Sequence, residues 1–393
     1  MTDLVSHRGP DGEGFYNDEY ISLGHRRLSI IDLSANGHQP MPRDNFIITY
    51  NGEVYNYLEL KDELISLGHQ FNTHSDTEVI LASYQQWGSA FLNKLNGMFS
   101  FVIYDQQHKK VFAARDRFGV KPMYYWICPI GVLYIASEIK QFTCLIGWKA
   151  EINLQASYDF LNHSLLDHTN QTFFKDVFQL RPAHFFELNL GTAEPPKVMP
   201  VRWYELQASS SVEKTPAQFF EIFKSAIELR LRSDVPVGSC LSGGLDSSSI
   251  VCVLNQVLNK SSLQKTFSAC SEIKKFDERE FIEEVVSRTD VEANYTYPDE
   301  TKLFEVLDEL IWHQDEPFGS TSIFAQWCVF ELAKVNKVKV MLDGQGADEQ
   351  LAGYHSYFPI YWLQLLKSFS WLLLGKELMA AKKVHAYGYL KSF

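Results

Sequence analysis

Val237-Gly238-Ser239-Cys240-Leu241-Ser242-Gly243-Gly244-Leu245-Asp246-Ser247-Ser248-Ser249-Ile250-Val251 is the stretch around which the chain is organised. It reads as a short apolar strand that ends in a small-residue turn and passes into an apolar helix, Ile250 to Leu258. Ser242, Gly243 and Gly244 carry almost no side chain, so an anion can sit against their backbone N–H groups, with the positive end of the helix dipole aimed at it. The Walker spacing and its lysine are absent. Asp246 in the loop points instead to a metal-bridged pyrophosphate. A Gly-Gly turn by itself is an ordinary strand-to-helix connection, so the full run carries the reading.

On the N-terminal side of the loop, Pro216 to Leu231 repeats apolar residues at helical spacing, with Phe219, Phe223, Ala226, Ile227 and Leu231 on one face. On the C-terminal side, Thr266 to Cys270 and Val338 to Leu342 read as strands. Asp277 to Thr289 reads as an acidic amphipathic helix with a solvated face. The second strand runs into Asp343-Gly344-Gln345-Gly346-Ala347-Asp348-Glu349. Strands alternating with helices imply a parallel sheet that binds ligands at the strands' C-terminal ends, so both Gly-rich loops are expected to line one crevice. His313-Gln314-Asp315-Glu316-Pro317-Phe318 reads equally as an active-site turn and as a Pro-terminated helix end.

The first half is richer in strand signals. Gly14 to Leu23 and Leu23 to Leu33 read as strands, the second with Arg26 and Arg27 inside it; an arginine there is either a solvated edge residue or aimed at a carboxylate. Phe46 to Tyr50 reads as a strand ending at Asn51-Gly52, a common hairpin turn. Leu58 to Leu67 and Val79 to Trp87 read as helices, the first closed by Gly68 and the second capped by Ser75 or Asp76. Gly97 to Asp105 pairs with Val111 to Ala114, and Tyr124 to Trp126 and Val132 to Ala136 add two strands. Leu154 to Leu166 reads as a helix, with strands within Phe173 to Leu190. A boundary is expected between Trp203 and Thr215, in Gln207-Ala208-Ser209-Ser210-Ser211.

The bulk numbers bound the function classes. A chain of 393 residues has room for two cores. Its formal net charge of −12 argues against non-specific nucleic-acid binding. Six cysteines without a C-x-x-C pair read as free thiols in a reducing compartment. The N-terminus has no signal-peptide pattern, and no apolar run reaches membrane-spanning length. The nearest, Tyr361 to Leu374, is broken by Gln364, Lys367, Ser368 and Ser370; it reads as a core helix, with a membrane-associated segment as the alternative.

Ser242-Gly243-Gly244-Leu245-Asp246-Ser247-Ser248 resembles the pyrophosphate loop of the N-type ATP pyrophosphatases. A second resemblance rests on six runs: Arg8 to Asp11, His25 to Ile30, Tyr50 to Asn56, Ser75 to Glu78, Arg115 to Pro122 and Ser137 to Lys140. Their order is that of class II glutamine amidotransferases, and more narrowly of the glutaminase domain of glutamine-hydrolysing asparagine synthetases. The resemblance implies an α+β domain of the four-layer αββα N-terminal-nucleophile hydrolase type over residues 1–205. An α/β parallel-sheet ATP pyrophosphatase domain is implied over 206–393. It also implies a cytoplasmic ligase that acts on glutamine, aspartate and ATP with Mg2+, with a homodimer as the assembly it allows.

The same resemblance assigns roles. Arg27 would bind the glutamine carboxylate, Asn51 and Gly52 would form the oxyanion hole, with Asn51 also counted among the glutamine-binding residues, and Glu53 and Asp76 would hold the substrate's amino end. Leu241, Ser242, Gly243, Gly244, Asp246, Ser247, Ala269, Asp343 and Gly344 would contact ATP, with Asp246 and Asp348 on the metal. Three positions depart from the pattern: Thr2 stands where the family has its nucleophilic cysteine, Asp343 where serine is usual, and Gln345 where glutamate is usual. The expectation is a piece truncated at both ends, inactive as a glutaminase, with an exposed apolar patch at Tyr361 to Leu374. Amidation of a carboxylate other than aspartate's and a non-catalytic binding remnant are the rival readings.

Overall fold

In the computed structural model, residues 1–192, 194–206, 215–258 and 263–385 are described. The expected domain boundary, residues 205 and 206 with the polar stretch 207–211, falls next to or within residues outside that set. The N-terminal region is antiparallel. A six-stranded sheet runs in the order β11-β10-β6-β5-β4-β3, built from β3 (Met41–Arg43), β4 (Phe46–Val54), β5 (Gly97–Asp105), β6 (Lys110–Arg115), β10 (His184–Asn189) and β11 (Val201–Arg202). A second layer is formed by the pair β1 (Gly12–Asn17) and β2 (Ser22–Arg27) and by the three strands β8 (Leu133–Ala136), β7 (Tyr124–Ile127) and β9 (Val177–Gln179).

Three apolar layers hold this region together. Helices α1 (Tyr57–Ser66) and α2 (Asp76–Trp87) place Leu60, Leu64 and Val79 to Ala82 on one face of the large sheet, against Ile48, Phe99, Phe101, Ile103 and Phe112. The sheet's other face, with Ile47, Val102, Tyr104, Val111 and Phe186, packs on Leu23, Met123 and Leu180 of the second layer. Beyond it, Trp126, Ala136 and Val177 pack on Ile139 and Phe142 of a 3-10 turn, Ile139–Cys144. The order is therefore helices, sheet, sheet, and a short helical layer. The later helix α3 (Leu154–His163) has no buried residue.

Several local expectations change. Asp18 accepts from the Tyr20 and Ile21 amides at 2.7 and 2.9 Å, so the expected strand Gly14 to Leu23 breaks into a turn between β1 and β2. β2 ends at Arg27 instead of continuing to Leu33. Asn51-Gly52 is not a hairpin tip: β4 runs through it, pairing Asn51 with Ser100 and Gly52 with Phe99. A Cβ on Gly52 would lie 2.2 Å from the Met98 carbonyl oxygen, so only glycine lets the two backbones pass this closely. α2 begins at Asp76 with Ser75 as cap, its Oγ accepting from Thr77 N at 3.2 Å.

The second half is a parallel sheet in the order β14-β13-β12-β15, made of β12 (Val237–Cys240), β13 (Gln264–Ala269), β14 (Val291–Thr296) and β15 (Val340–Leu342). α4 (Pro216–Arg230) and α5 (Leu245–Leu258) pack Ile227, Val253 and Leu254 on Leu342, and Ile282 of α6 (Arg279–Arg288) joins Leu241 and Val251. On the opposite face, Val329 and Ala333 of α8 (Ser322–Val335) cover Phe267. α7 (Glu300–Gln314) packs on α8 through Leu310, Phe324 and Cys328. α5 starts five residues before the expected Ile250, directly at the end of the glycine loop.

The C-terminal apolar run is not one core helix. α9 (Ala347–Leu351) is followed by α10 (Tyr357–Lys367) and α11 (Trp371–His385), which break at Ser368 to Ser370. Trp362 and Leu365 are buried, whereas Phe369 is 77% and Leu372 87% exposed, which fits the expected apolar patch. Among the described residues no helix is long and apolar enough to cross a membrane. The two halves meet along a polar seam. Arg232 donates to the Tyr55 carbonyl at 2.6 Å and pairs with Glu59, and Asp234 exchanges bonds with Ile30 and Asp32 at 2.9 and 2.8 Å.

Candidate functional site

Arg27, Asn51, Gly52, Glu53 and Asp76 come from β2, β4 and the start of α2, and all five line one cavity of about 1120 Å³. Asn51 Nδ2 and Glu53 Oε1 are buried there without a hydrogen-bond partner. Buried polar atoms are nearly always paired, so two unpaired ones facing a cavity mark a place prepared for a ligand. Asp76 is more constrained: its carboxylate accepts from Tyr50 Oη and Val54 N, both at 2.9 Å. Even so, burial raises its pKa. Burial, followed by the nearby Asp76 charge, raises Glu53 to about 7. Two carboxyls held this way favour a cationic guest that restores the missing charge.

Arg27, expected to meet the glutamine carboxylate, is also tied into the fold. Its guanidinium donates to the Ser34 carbonyl at 2.8 Å and also to the Asp32 carbonyl, so it holds the loop after β2 while lining the cavity. The motif residues Arg115 and Asp116 are scaffold. Arg115 donates to the carbonyls of Lys121, Gly119 and Leu180, at 2.7, 2.8 and 2.7 Å. Asp116 accepts from the amides of Phe99, Phe118, Val120 and Lys121. The wall also contains Arg8, His25 and Lys121, which belong to the quoted runs but were given no role, and Gln39, which sequence reasoning did not single out. Burial and then the Arg27 charge push His25 down to about 4, so it is neutral. Among the described residues, no cysteine lines the cavity.

The glycine loop lies at the C-terminal end of β12. Ser242 Oγ and Ser247 Oγ are 3.0 Å apart, Ser247 Oγ accepts from Ser242 N at 3.1 Å, and Ser242 Oγ accepts from Gly244 N at 3.3 Å. Gly243 has φ +82° and passes Glu278 and Phe281 so closely that a Cβ would sit 2.9 Å from Phe281 Cβ. The second loop rests against the first: a Cβ on Gly344 would lie 3.2 Å from Asp246 Cβ and 3.3 Å from Ser247 N. Leu241 is fixed through Phe267 O at 3.0 Å, and Ala269 closes β13 at the same end of the sheet.

Asp343 is held by Gln345 N at 2.9 Å and Gln326 Nε2 at 3.1 Å, next to Cys240, whose thiol is pushed well up by burial and by that carboxylate. Asp348 stands in the first turn of α9, under Gly353, where a Cβ would fall 1.8 Å from its Oδ1. Among the described residues no group of three or more His, Cys, Asp or Glu side chains could hold a metal alone. The His313 to Phe318 stretch is a helix end with a further use. Asp315 accepts from Ile139 N at 2.7 Å and Glu316 from Phe173 N at 2.7 Å, both across the seam.

Two family models match: a glutamine amidotransferase domain over residues 1–199 and asparagine synthase over residues 218–392. Among curated proteins, asparagine synthetase (glutamine-hydrolysing) 1 of Bacillus subtilis is 35% identical, covering 91% of this chain and 55% of that protein. The second glutamine-hydrolysing asparagine synthetase named for Methanocaldococcus jannaschii is 34% identical, covering 98% of this chain and 78% of that protein. Amidase chyE of Penicillium rubens is 32% identical, over 90% of this chain and 54% of its own. The chain thus spans about half the length of the first and third relatives. Together with the paired cavity and crevice, these matches show that the chain belongs to the glutamine-hydrolysing asparagine synthetase family.

Proposed function

We propose that this chain serves ATP-dependent amidation of a carboxylate with glutamine as nitrogen donor, the carboxylate being the side chain of aspartate and the product asparagine. The observation that carries the reading is the pair of buried, unpartnered atoms Asn51 Nδ2 and Glu53 Oε1 in one cavity. Asn51 Nδ2 and the Gly52 N–H are suited to the oxygen of a scissile amide as it gains charge, which is where preorganised donors stabilise most. Glu53 and Asp76 offer negative charge to the glutamine ammonium, and Arg27 offers positive charge to its carboxylate. The residues present on the wall support binding and oxyanion stabilisation of glutamine.

In the crevice, the Ser242 to Ser247 loop would cradle the pyrophosphate, with Leu241, Ala269, Asp343 and Gly344 around the nucleotide. Asp246 and Asp348 are the residues that would hold a magnesium ion, which would supply positive charge to the phosphates of ATP. Calorimetric titration of glutamine into wild type and Asn51→Ala tests the cavity, and aspartate-dependent release of pyrophosphate from ATP tests the crevice. Glutamine binding that is absent in the wild type, or unchanged in Asn51→Ala, overturns the reading of the cavity.

A second reading changes only the acceptor. Asp343 places a carboxylate beside the first glycine loop, tied by Gln326 and Gln345, and an added negative charge there bears on which acceptor carboxylate can approach. Pyrophosphate release that ignores aspartate but responds to another carboxylic acid favours it.

A further inference from the structure

The seam between the halves contains a buried ion-pair chain that the two sites do not use. The Lys140 side chain is 2% exposed and its Nζ lies between two carboxylates, Glu138 on its own side and Asp315 across the seam, the latter at 3.0 Å. Asp315 also accepts from the backbone N–H groups of Ile139 and Lys140, at 2.7 and 3.3 Å. It occupies the residue after α7 with φ +62°, so the helix end itself is docked. The other oxygen of Glu138 accepts from Arg8 Nη1 at 2.9 Å and lies 3.1 Å from His7 Nε2. Arg8 and His7 both line the cavity that contains Asn51 and Glu53.

From Asp315 the connection continues into the other half. The α7–α8 loop carries Asp315 and Glu316, and α8 carries Gln326, whose amide donates to Asp343 in the second glycine loop at 3.1 Å. Between the crevice loop and the cavity wall there are thus two sets of polar contacts, one at Gln326 and one at Asp315, joined through the α7–α8 loop and the packing of α7 on α8. Burying these charges is costly unless their geometry is held, so the set has few alternative arrangements.

We propose that Lys140 is a positioning residue that couples the two sites: nucleotide in the crevice, acting through Asp343, Gln326 and the α7–α8 loop, sets the position of Asp315, and Lys140 passes this through Glu138 to Arg8 in the glutamine cavity. The inference rests on the reading of cavity and crevice given above. Coupling of this kind is reciprocal: whatever factor ATP imposes on glutamine affinity, glutamine imposes on ATP affinity.

The test is calorimetric, on the full chain, with glutamine titrated in the absence and presence of saturating ATP and Mg2+, and ATP titrated with and without glutamine. Wild type is expected to show a shift of about fivefold or more, equal in the two directions. Lys140→Met, which retains the stem beside the Trp312 ring, and Asp315→Asn should each reduce the shift to within about twofold, with single-ligand affinities within about threefold of wild type. Lys140→Arg, which keeps the charge, should restore the shift. A Lys140→Met protein with the wild-type shift overturns the proposal, as does a wild type that binds both ligands independently. If Lys140→Met fails to fold, Asp315→Asn decides by the same criterion. A wild type that binds neither ligand overturns the site assignments, a distinct failure that removes the proposal's basis.

Discussion

Replacing Glu53 by glutamine should make the protein more stable while removing its grip on glutamine. Glu53 is 5% exposed, and its pKa rises from 4.5 to about 7 through burial and then the Asp76 charge. The folded state therefore keeps a proton that the unfolded chain has released. Stability contributed by this group is fully present below pH 4.5 and is lost as the pH rises through 7. A rise of about 2.5 units corresponds to about 3 kcal/mol at pH 8, falling to about 1 kcal/mol at pH 5. Glu53→Gln removes the penalty, so urea midpoints of variant and wild type should diverge from pH 5 to pH 8, with the variant higher. Calorimetry should show glutamine binding weakened about tenfold or more, because one of two charges facing the ammonium is gone. A variant no more stable than wild type at pH 8, or shifted equally at both pH values, would refute the reasoning.

Gly52→Ala should destabilise the N-terminal region by about 3 kcal/mol, because its Cβ would meet the Met98 carbonyl at 2.2 Å inside a continuous ladder; chemical denaturation measures it. Gly344→Val should push the two glycine loops apart from their 3.2 Å approach and weaken ATP binding about tenfold or more, with glutamine affinity unchanged in calorimetry. Leu372→Glu, at a position 87% exposed on the apolar face of α11, should reduce self-association in light scattering and leave the melting temperature within about 1 °C.

Much of this was legible because it is local. The strand, small-residue loop and helix of residues 237–258 follow from side-chain size and apolar spacing, and the structure moves only the start of α5. Residues quoted for the glutamine site converge on one cavity although 49 positions separate Arg27 from Asp76. Misreadings arise where distant pairing overrules local chemistry. Asn51-Gly52 has turn chemistry, but nine pairs with β5 carry the strand through it. No element was read in Val291 to Thr296, since all six residues are half-buried and no alternation survives. α8 is apolar nearly all round, so its helical period is faint. The partners of Asp315 lie some 175 positions away, and nothing near it in sequence announces them.

Cys240 gives the crevice a chemical reporter. Alkylating agents react with thiolates, and this thiol is held protonated by its burial at the end of β12 and by the carboxylate of Asp343. Its side chain packs beside Phe267 and Val329, so its rate of modification counts openings that expose the C-terminal end of β12. Exposed Cys144, outside both sites, supplies an internal standard in the same sample. Peptide-level mass spectrometry of the ratio between them follows opening of the crevice floor without any engineered label.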